Sequence, residues 1–384
     1  MCLVFRAIIQ FVCASIYLQV QDAVVYVYGG NLIMSVTTKS FGKLTSGEEI
    51  TLYHIENAAG AYAEVMDYGA ILVNLVVPDR NGTFTDVVLG FDDVQKYEVN
   101  KCFFGATIGP NGNRIGGAAF DIDGQHYTLA QNENENNLHS GPNGFEKKIW
   151  QAAVDEQNNA VTFTLQVPDG LNGFPGNRTF SVTYAFDDDC ALSLTYYGVS
   201  DKATVANLTN HSYFNLNGEG SGDILDTVLQ IHAAAFSAIP DSKAIPTGEA
   251  RPVTGTVMDF TAPKKIGLQI DEQDEQLLFT GGYDHNFVLD DYNKGTVRPI
   301  ACACSEKSGI RMTVSSDQPC VQFYAGNGIG SQAGKKGHVY TRRNGFCLET
   351  QVEPNAVNTP SFHSPVIAAG EEYRTQTVYS FDRI

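Results

Sequence analysis

The chain has 384 residues with 25 basic and 43 acidic side chains, a net charge of −18. That length can bury a large core, while the acidic balance argues against nucleic acid and anionic membrane surfaces as partners, since both call for a basic face.

At the start, residues 7–18 are largely apolar behind a lone Arg6. The run is too short to span a bilayer and about as long as the hydrophobic part of a secretion signal. Its flank is barely basic, however, and no small-x-small cleavage site follows. A start at Met34 is the alternative, because Met34-Ser35-Val36 leads straight into strand-like sequence. Residues 1–33 are therefore set apart as a leader, and residues 35–384 are expected to form a single domain. The compartment is open between cytoplasm, which is favoured, and secretion if the leader acts as a signal.

Turn signals recur through the rest, with Asn-Gly at 81, 111, 143, 172, 217, 327 and 344 and Asp-Gly at 123 and 169. Such pairs take up positive φ easily and join adjacent strands. Gly109-Pro110-Asn111-Gly112-Asn113-Arg114-Ile115 reads as a turn delivering one arginine. Asn137-Leu138-His139-Ser140-Gly141 supplies an isolated histidine, structural or ligand-binding. Residues 161–167, 180–186 and 191–197 alternate apolar and polar side chains, the pattern of half-buried strands.

Asn207-Leu208-Thr209-Asn210-His211-Ser212-Tyr213-Phe214-Asn215-Leu216 is the most telling stretch. On a strand, Asn207, Thr209, His211, Tyr213 and Asn215 share one face, opposite Leu208, Phe214 and Leu216. A solvated face would carry Lys, Glu and Asp, and a core face Val or Ile. Amides, hydroxyls and one imidazole suit a surface that grips a neutral, hydroxyl-rich ligand and moves a proton on it. That is carbohydrate chemistry.

Residues 271–278 have the period of a short helix. Gly281-Gly282-Tyr283-Asp284 then brings an aspartate after a flexible pair, as a turn cap or as a ligand. In residues 321–325, Gln322 and Tyr324 face away from Val321 and Phe323. Lys335-Lys336 and Arg342-Arg343 form a local basic patch, expected to be a solvated loop rather than a phosphate site. In residues 344–351, Cys347, Glu349 and Gln351 oppose Phe346 and Leu348, and Glu349 faces either solvent or a pocket.

The eight cysteines include no CxxC pair and lack histidines at zinc-finger spacing, so buried reduced thiols are expected and no metal is indicated. Glycosylation sequons occur at Asn81, Asn177, Asn207 and Asn210; a glycan on the last would obstruct the His211 face, which tilts toward an unglycosylated intracellular protein. Short strands at about 8–12-residue spacing predict an all-β fold, a large antiparallel β-sandwich with few short helices.

Several segments together resemble the aldose 1-epimerase, or galactose mutarotase, family. They are Asn113-Arg114-Ile115, Phe120-Asp121-Ile122-Asp123-Gly124, Asn137-Leu138-His139, Gly144-Phe145-Glu146-Lys147-Lys148-Ile149-Trp150, Thr209-Asn210-His211-Ser212-Tyr213-Phe214-Asn215-Leu216, Gly282-Tyr283-Asp284-His285-Asn286 and Leu348-Glu349-Thr350-Gln351 with Pro354. The likeness runs from about Gly42 to the C-terminus. It implies a galactose mutarotase-like sandwich with a sugar cleft on a concave sheet, and interconversion of the α and β anomers of a free aldohexose. Glu349 is the implied base and His211 the implied acid, on opposite sides of the anomeric centre. Asn113, Arg114, His139, Asp284 and Gln322 are the implied sugar binders, with Ser212 and Tyr213 flanking the acid. Mutual attraction is expected to keep Glu349 ionised and His211 protonated. Two titratable groups suffice, so no cofactor or metal is implied, and the partner is a small monosaccharide.

Pro110 and Gly112 stand where the family has arginine and alanine, and Ser140 stands where it has glycine; these departures bear on sugar preference. Three rivals remain. A glycoside hydrolase or lyase needs a carboxylate pair. A non-catalytic sugar-binding sandwich would lack the acid–base pair. A sugar-phosphate epimerase of the same superfamily needs a basic pocket.

Overall fold

The computed structural model describes residues 36–384 and the backbone of three short strands before them, Leu18–Val20, Ala23–Tyr28 and Asn31–Ile33. The apolar run from Ala7 and the candidate start at Met34 lie outside the described residues. The fold is all-β, and its strand ladders are antiparallel. The largest sheet has nine strands, with Ala160–Val167, Arg178–Phe186, Ala191–Ser200 and Tyr373–Arg383 as consecutive neighbours. A five-stranded sheet runs Ala250–Pro252, Ala235–Ser237, Asp284–Val288, Cys320–Tyr324, Cys347–Gln351. A second five-stranded sheet is built from the first part of the chain, from Thr37–Lys43 to Phe84–Asp86.

These strands form where the sequence alternates. In Arg178–Phe186, every second side chain from Phe180 to Phe186 is buried and those between are half-exposed. Each large apolar side chain taken out of water contributes about 1.5–3 kcal/mol. Gly198 sits directly across from Phe180, and a Cβ there would come within 2.5 Å of the Phe180 ring, so only glycine fits. One apolar core joins the three sheets, with Val65 and Leu75 from one, Phe163, Val182 and Leu194 from the largest, and Phe287, Phe323 and Leu348 from the third.

Among the described residues there are two α-helices, Val94–Val99 and Glu275–Thr280. The helix expected over 271–278 starts later because the Asp274 carboxylate accepts from the Gln276 amide as its N-cap, and Gly281 at φ +69° ends it. The basic patch is a correction. Lys335 is buried, and its ammonium donates to Val73 O, Asn74 Oδ1 and Asp86 Oδ2 at 2.8, 2.8 and 2.6 Å. Arg343 is buried too, forked onto Asp271 at 2.9 and 2.7 Å. Only Lys336 and Arg342 face solvent as expected. Asn207 and Asn210 are likewise buried, so their sequons are closed in the folded chain. Asn210 donates to Gly105 O and Tyr184 Oη, away from the cavity that its glycan was expected to block.

Candidate active site

Three neighbouring strands supply one wall of a small cavity. Asn286 lies across from Gln322, and Gln322 across from Glu349, in a continuous register. Alternation puts Asp284, Gln322, Tyr324, Cys347 and Glu349 on one face, while Phe287, Val321, Phe323 and Leu348 enter the core from the other. The rest of the lining comes from two short pairings. Arg114–Ile115 pairs with Asn137–Leu138, which sets Arg114 beside His139. Thr107–Ile108 pairs with Thr209–Asn210, which delivers His211.

The cavity holds about 180 Å³, small beside the roughly 300–1,000 Å³ of drug-sized sites. Eight of the nine expected residues line it: Asn113, Arg114, His139, His211, Tyr213, Asp284, Gln322 and Glu349. Ser212 is the exception and a correction, since its hydroxyl donates to Asn210 Oδ1 at 2.6 Å and does not reach the cavity. The expected polar strand face over 207–215 is also corrected. Only Thr209–Asn210 forms a ladder there. Beyond it the chain is held by His211 N donating to Ala106 O at 2.9 Å and His211 O accepting from Gly105 N at 3.0 Å. Asn207 and Asn215 spend their amides on Gly112, Gly222 and Asn344 carbonyls instead.

Glu349 and His211 are neighbours. His211 Nε2 stands 3.7 Å from Glu349 Oε1, too far for a hydrogen bond and too close to hold a sugar ring between them. The expected placement on opposite sides of the anomeric centre is therefore corrected to side by side. Nothing is lost chemically, because O1 and O5 of a pyranose sit on the same carbon and one edge of the sugar can meet both groups.

Burial opposes both expected charge states. Burial pushes the Glu349 carboxyl well above the carboxylate range; Asp284 adds to the rise and Arg114 opposes it. Burial also pulls His211 down to about 4. Its ring is enclosed by aromatic side chains, stacked on Tyr213 with centroids 5.1 Å apart and 5.7 Å from Phe103. Desolvation therefore works against both charged forms and opposes the mutual attraction of the two groups.

The remaining groups are held in place by defined bonds. Arg114 is forked onto Glu133, with both N–O distances 2.6 Å. Gln322 donates to Asp284 Oδ1 at 2.7 Å. The Asn113 amide donates to His139 Nδ1 at 3.1 Å, which leaves Nε2 carrying the proton. His139 itself is held well below its ordinary pKa by burial first, then by His211 and Arg114, so it is a neutral donor. Asn113, His139 and Phe103 all have positive φ, at 63°, 53° and 57°, and such strained non-glycine residues concentrate at functional sites. Two buried cavity atoms, Glu349 Oε2 and Gln322 Oε1, have no protein partner. An unmet buried polar atom costs about 1–3 kcal/mol, which a ligand hydroxyl would recover.

Pro110, Gly112 and Ser140 lie outside the cavity lining. Ser140, at φ +57°, is steadied by its hydroxyl, which accepts from Asn111 N at 2.9 Å and donates to Asn111 O at 3.0 Å. Sequence reasoning missed Glu133, Phe103, Lys101 and Leu138, which also line the cavity, and assigned Tyr324 only a face. Glu133 lies in a polar loop without periodicity, and no local signal marks it.

The family model for aldose 1-epimerase matches residues 51–380. The chain is 40% identical over 351 residues to galactose mutarotase of Homo sapiens, covering 90% of this chain and 98% of the relative. It is 35% identical over 338 residues to aldose 1-epimerase of Escherichia coli K12, covering 87% and 96%. A solved aldose epimerase homologue from C. elegans superposes with a TM-score of 0.79 at 29% identity, covering 87% of this chain and 99% of that one.

Proposed function

The chain belongs to the aldose 1-epimerase family and has its activity, and from that premise we propose that Glu349 and His211 carry the reaction on a free aldohexose. Glu349 takes the proton from the C1 hydroxyl while His211 gives one to the ring oxygen. The C1–O5 bond breaks, the C1–C2 bond rotates, and the aldehyde recloses on its other face by the same transfers in reverse. Opening ends with both groups neutral, which is the charge state that burial favours. The ionised pair from which opening starts is supported by the Arg114 guanidinium, whose charge works against burial at Glu349. General acid–base help of this kind is worth about 10²–10⁴-fold per group.

The observation that carries the reading is the side-by-side pair in a cavity one sugar ring in size. Around it, His139 Nε2–H is the donor, Asp284 the acceptor, and Arg114 the orienting cation held by Glu133. Replacing Asp284 by Ala removes charged hydrogen bonds worth about 1.5–3 kcal/mol. KM should rise about 10–100-fold with kcat within a few-fold, in steady-state polarimetry; a collapse of kcat at unchanged KM would contradict a binding role.

Free rather than phosphorylated hexoses are the substrates on this reading. Arg114 is already forked onto Glu133, and Asp284 lies in the same cavity, so Lys101 is, among the described residues, the one lining cation without a carboxylate bonded to it. A phosphate dianion there would sit beside the Asp284 and Glu133 carboxyls with a single lysine to offset them, and like charges placed together cost several kcal/mol. Proton NMR of α-to-β exchange should show glucose or galactose turning over at least about 100-fold faster than the 6-phosphates. Faster exchange of the phosphates would identify a sugar-phosphate epimerase instead.

No helix among the described residues is long and apolar enough to cross a membrane. For the compartment we favour the cytoplasm, because the six described cysteines are all unpaired, as thiols are in a reducing environment.

A further inference from the structure

We propose that Cys320, Glu353 and His363 form a binding site for a zinc-class divalent cation, with an open coordination position facing the adjoining cavity of about 750 Å³. The site lies at the far end of the strands that carry Gln322 and Glu349, on the last rung, where Cys320 pairs with Gln351. A sulfur, an imidazole nitrogen and a carboxylate oxygen come within 4.8 Å of one another there. Cys320 and Glu353 are buried, and His363 is part of the cavity wall.

Geometry supports one ion between these groups. His363 Nδ1 stands 3.0 Å from Glu353 Oε1 and 3.2 Å from Oε2. Two donors each about 2.0–2.2 Å from a shared zinc ion end up near that separation. The His363 ring is fixed edge-on by Tyr292 with centroids 5.0 Å apart, and its backbone amide donates to Glu353 Oε2 at 3.1 Å. The thiol lies beside Glu353 and Asn286. A thiolate, an imidazole and a carboxylate together suit zinc and its neighbours, whereas magnesium and calcium take oxygen ligands. Binding would release the thiol proton and the proton shared by His363 and Glu353. No short sequence motif announces the site, because its ligands come from one strand and from the two ends of a loop closed by the 3-10 turn Ala356–Asn358.

The test uses the full chain, reduced and stripped of metal, titrated with Co²⁺. One equivalent should give a near-ultraviolet thiolate-to-cobalt band that an equivalent of Zn²⁺ discharges. The band should vanish in Cys320→Ser and need at least about tenfold more Co²⁺ in His363→Ala. It should persist in Cys347→Ser, which matters because Cys347 lies 3.5 Å from His211 Nδ1, beside the ligand-like set of His139, His211 and Glu349. Zn²⁺ should also raise the Tm of the wild type but not of His363→Ala, a readout that survives if Cys320→Ser fails to fold. No band in the wild type, a band kept in Cys320→Ser, a band lost only in Cys347→Ser, or an equal Tm rise in His363→Ala would each overturn the site.

Discussion

Glu349→Gln is expected to lower kcat for mutarotation by about 10²–10⁴-fold while leaving sugar affinity within a few-fold. The amide keeps the shape of the carboxyl and its ability to hydrogen-bond the C1 hydroxyl, so ground-state binding survives. It cannot hold the proton that ring opening must release, so the transition state loses its acceptor. No neighbour can substitute. Asp284 is bound to Gln322, Glu133 is occupied by Arg114, and Cys347 is a thiol pushed upward by burial. Polarimetry of freshly dissolved α-D-glucose, corrected for the spontaneous reaction, measures the effect. A variant as fast as the wild type would remove Glu349 from the mechanism.

His211→Asn should produce a fall of the same order, about 10²–10⁴-fold in kcat, for the complementary reason. The ring oxygen is a poor leaving group unless protonated as the C1–O5 bond breaks, and an asparagine amide has no proton to give. The substitution keeps a polar group of similar reach against Tyr213 and Phe103, so the cavity should stay formed. Because acid and base act on one event, removing both should cost little more than removing either, as happens with groups that work as a unit. A loss below about threefold in His211→Asn would mean that His139 or water supplies the proton instead.

Much of this was legible in the sequence wherever an element obeys its own period. Residues 161–167, 180–186 and 191–197 alternate strictly, and they form strands of the largest sheet. The same alternation puts Gln322 and Glu349 each on the polar face of its own strand, and the register sets them directly opposite each other. His211 could be singled out by its polar neighbours, but not by strand parity. Past Asn210 the chain is held by bonds to Ala106 and Gly105, residues about a hundred positions away. Lys335 and Arg343 looked like surface charges because nothing local reveals that Asp86 and Asp271 await them. The desolvation that raises Glu349 and lowers His211 was hidden for the same reason, since burial is a property of the assembled sheets and not of the residues alone.

The central point is the protonation of the buried pair. Burial raises Glu349 and lowers His211, so His211 gains its proton only as pH falls through about 4. Below that value both groups are protonated, no base remains, and kcat/KM should fall. Above the raised pKa of Glu349 neither holds a proton, no acid remains, and the rate should fall again. The two limbs belong to the coupled pair rather than to separate groups. An NMR titration of the His211 ring in the unliganded wild type reads the lower limb directly. A midpoint near 4, with a neutral imidazole at pH 7, is the expected result; a midpoint at or above the ordinary 6.5 would mean that an ion pair occupies the empty site.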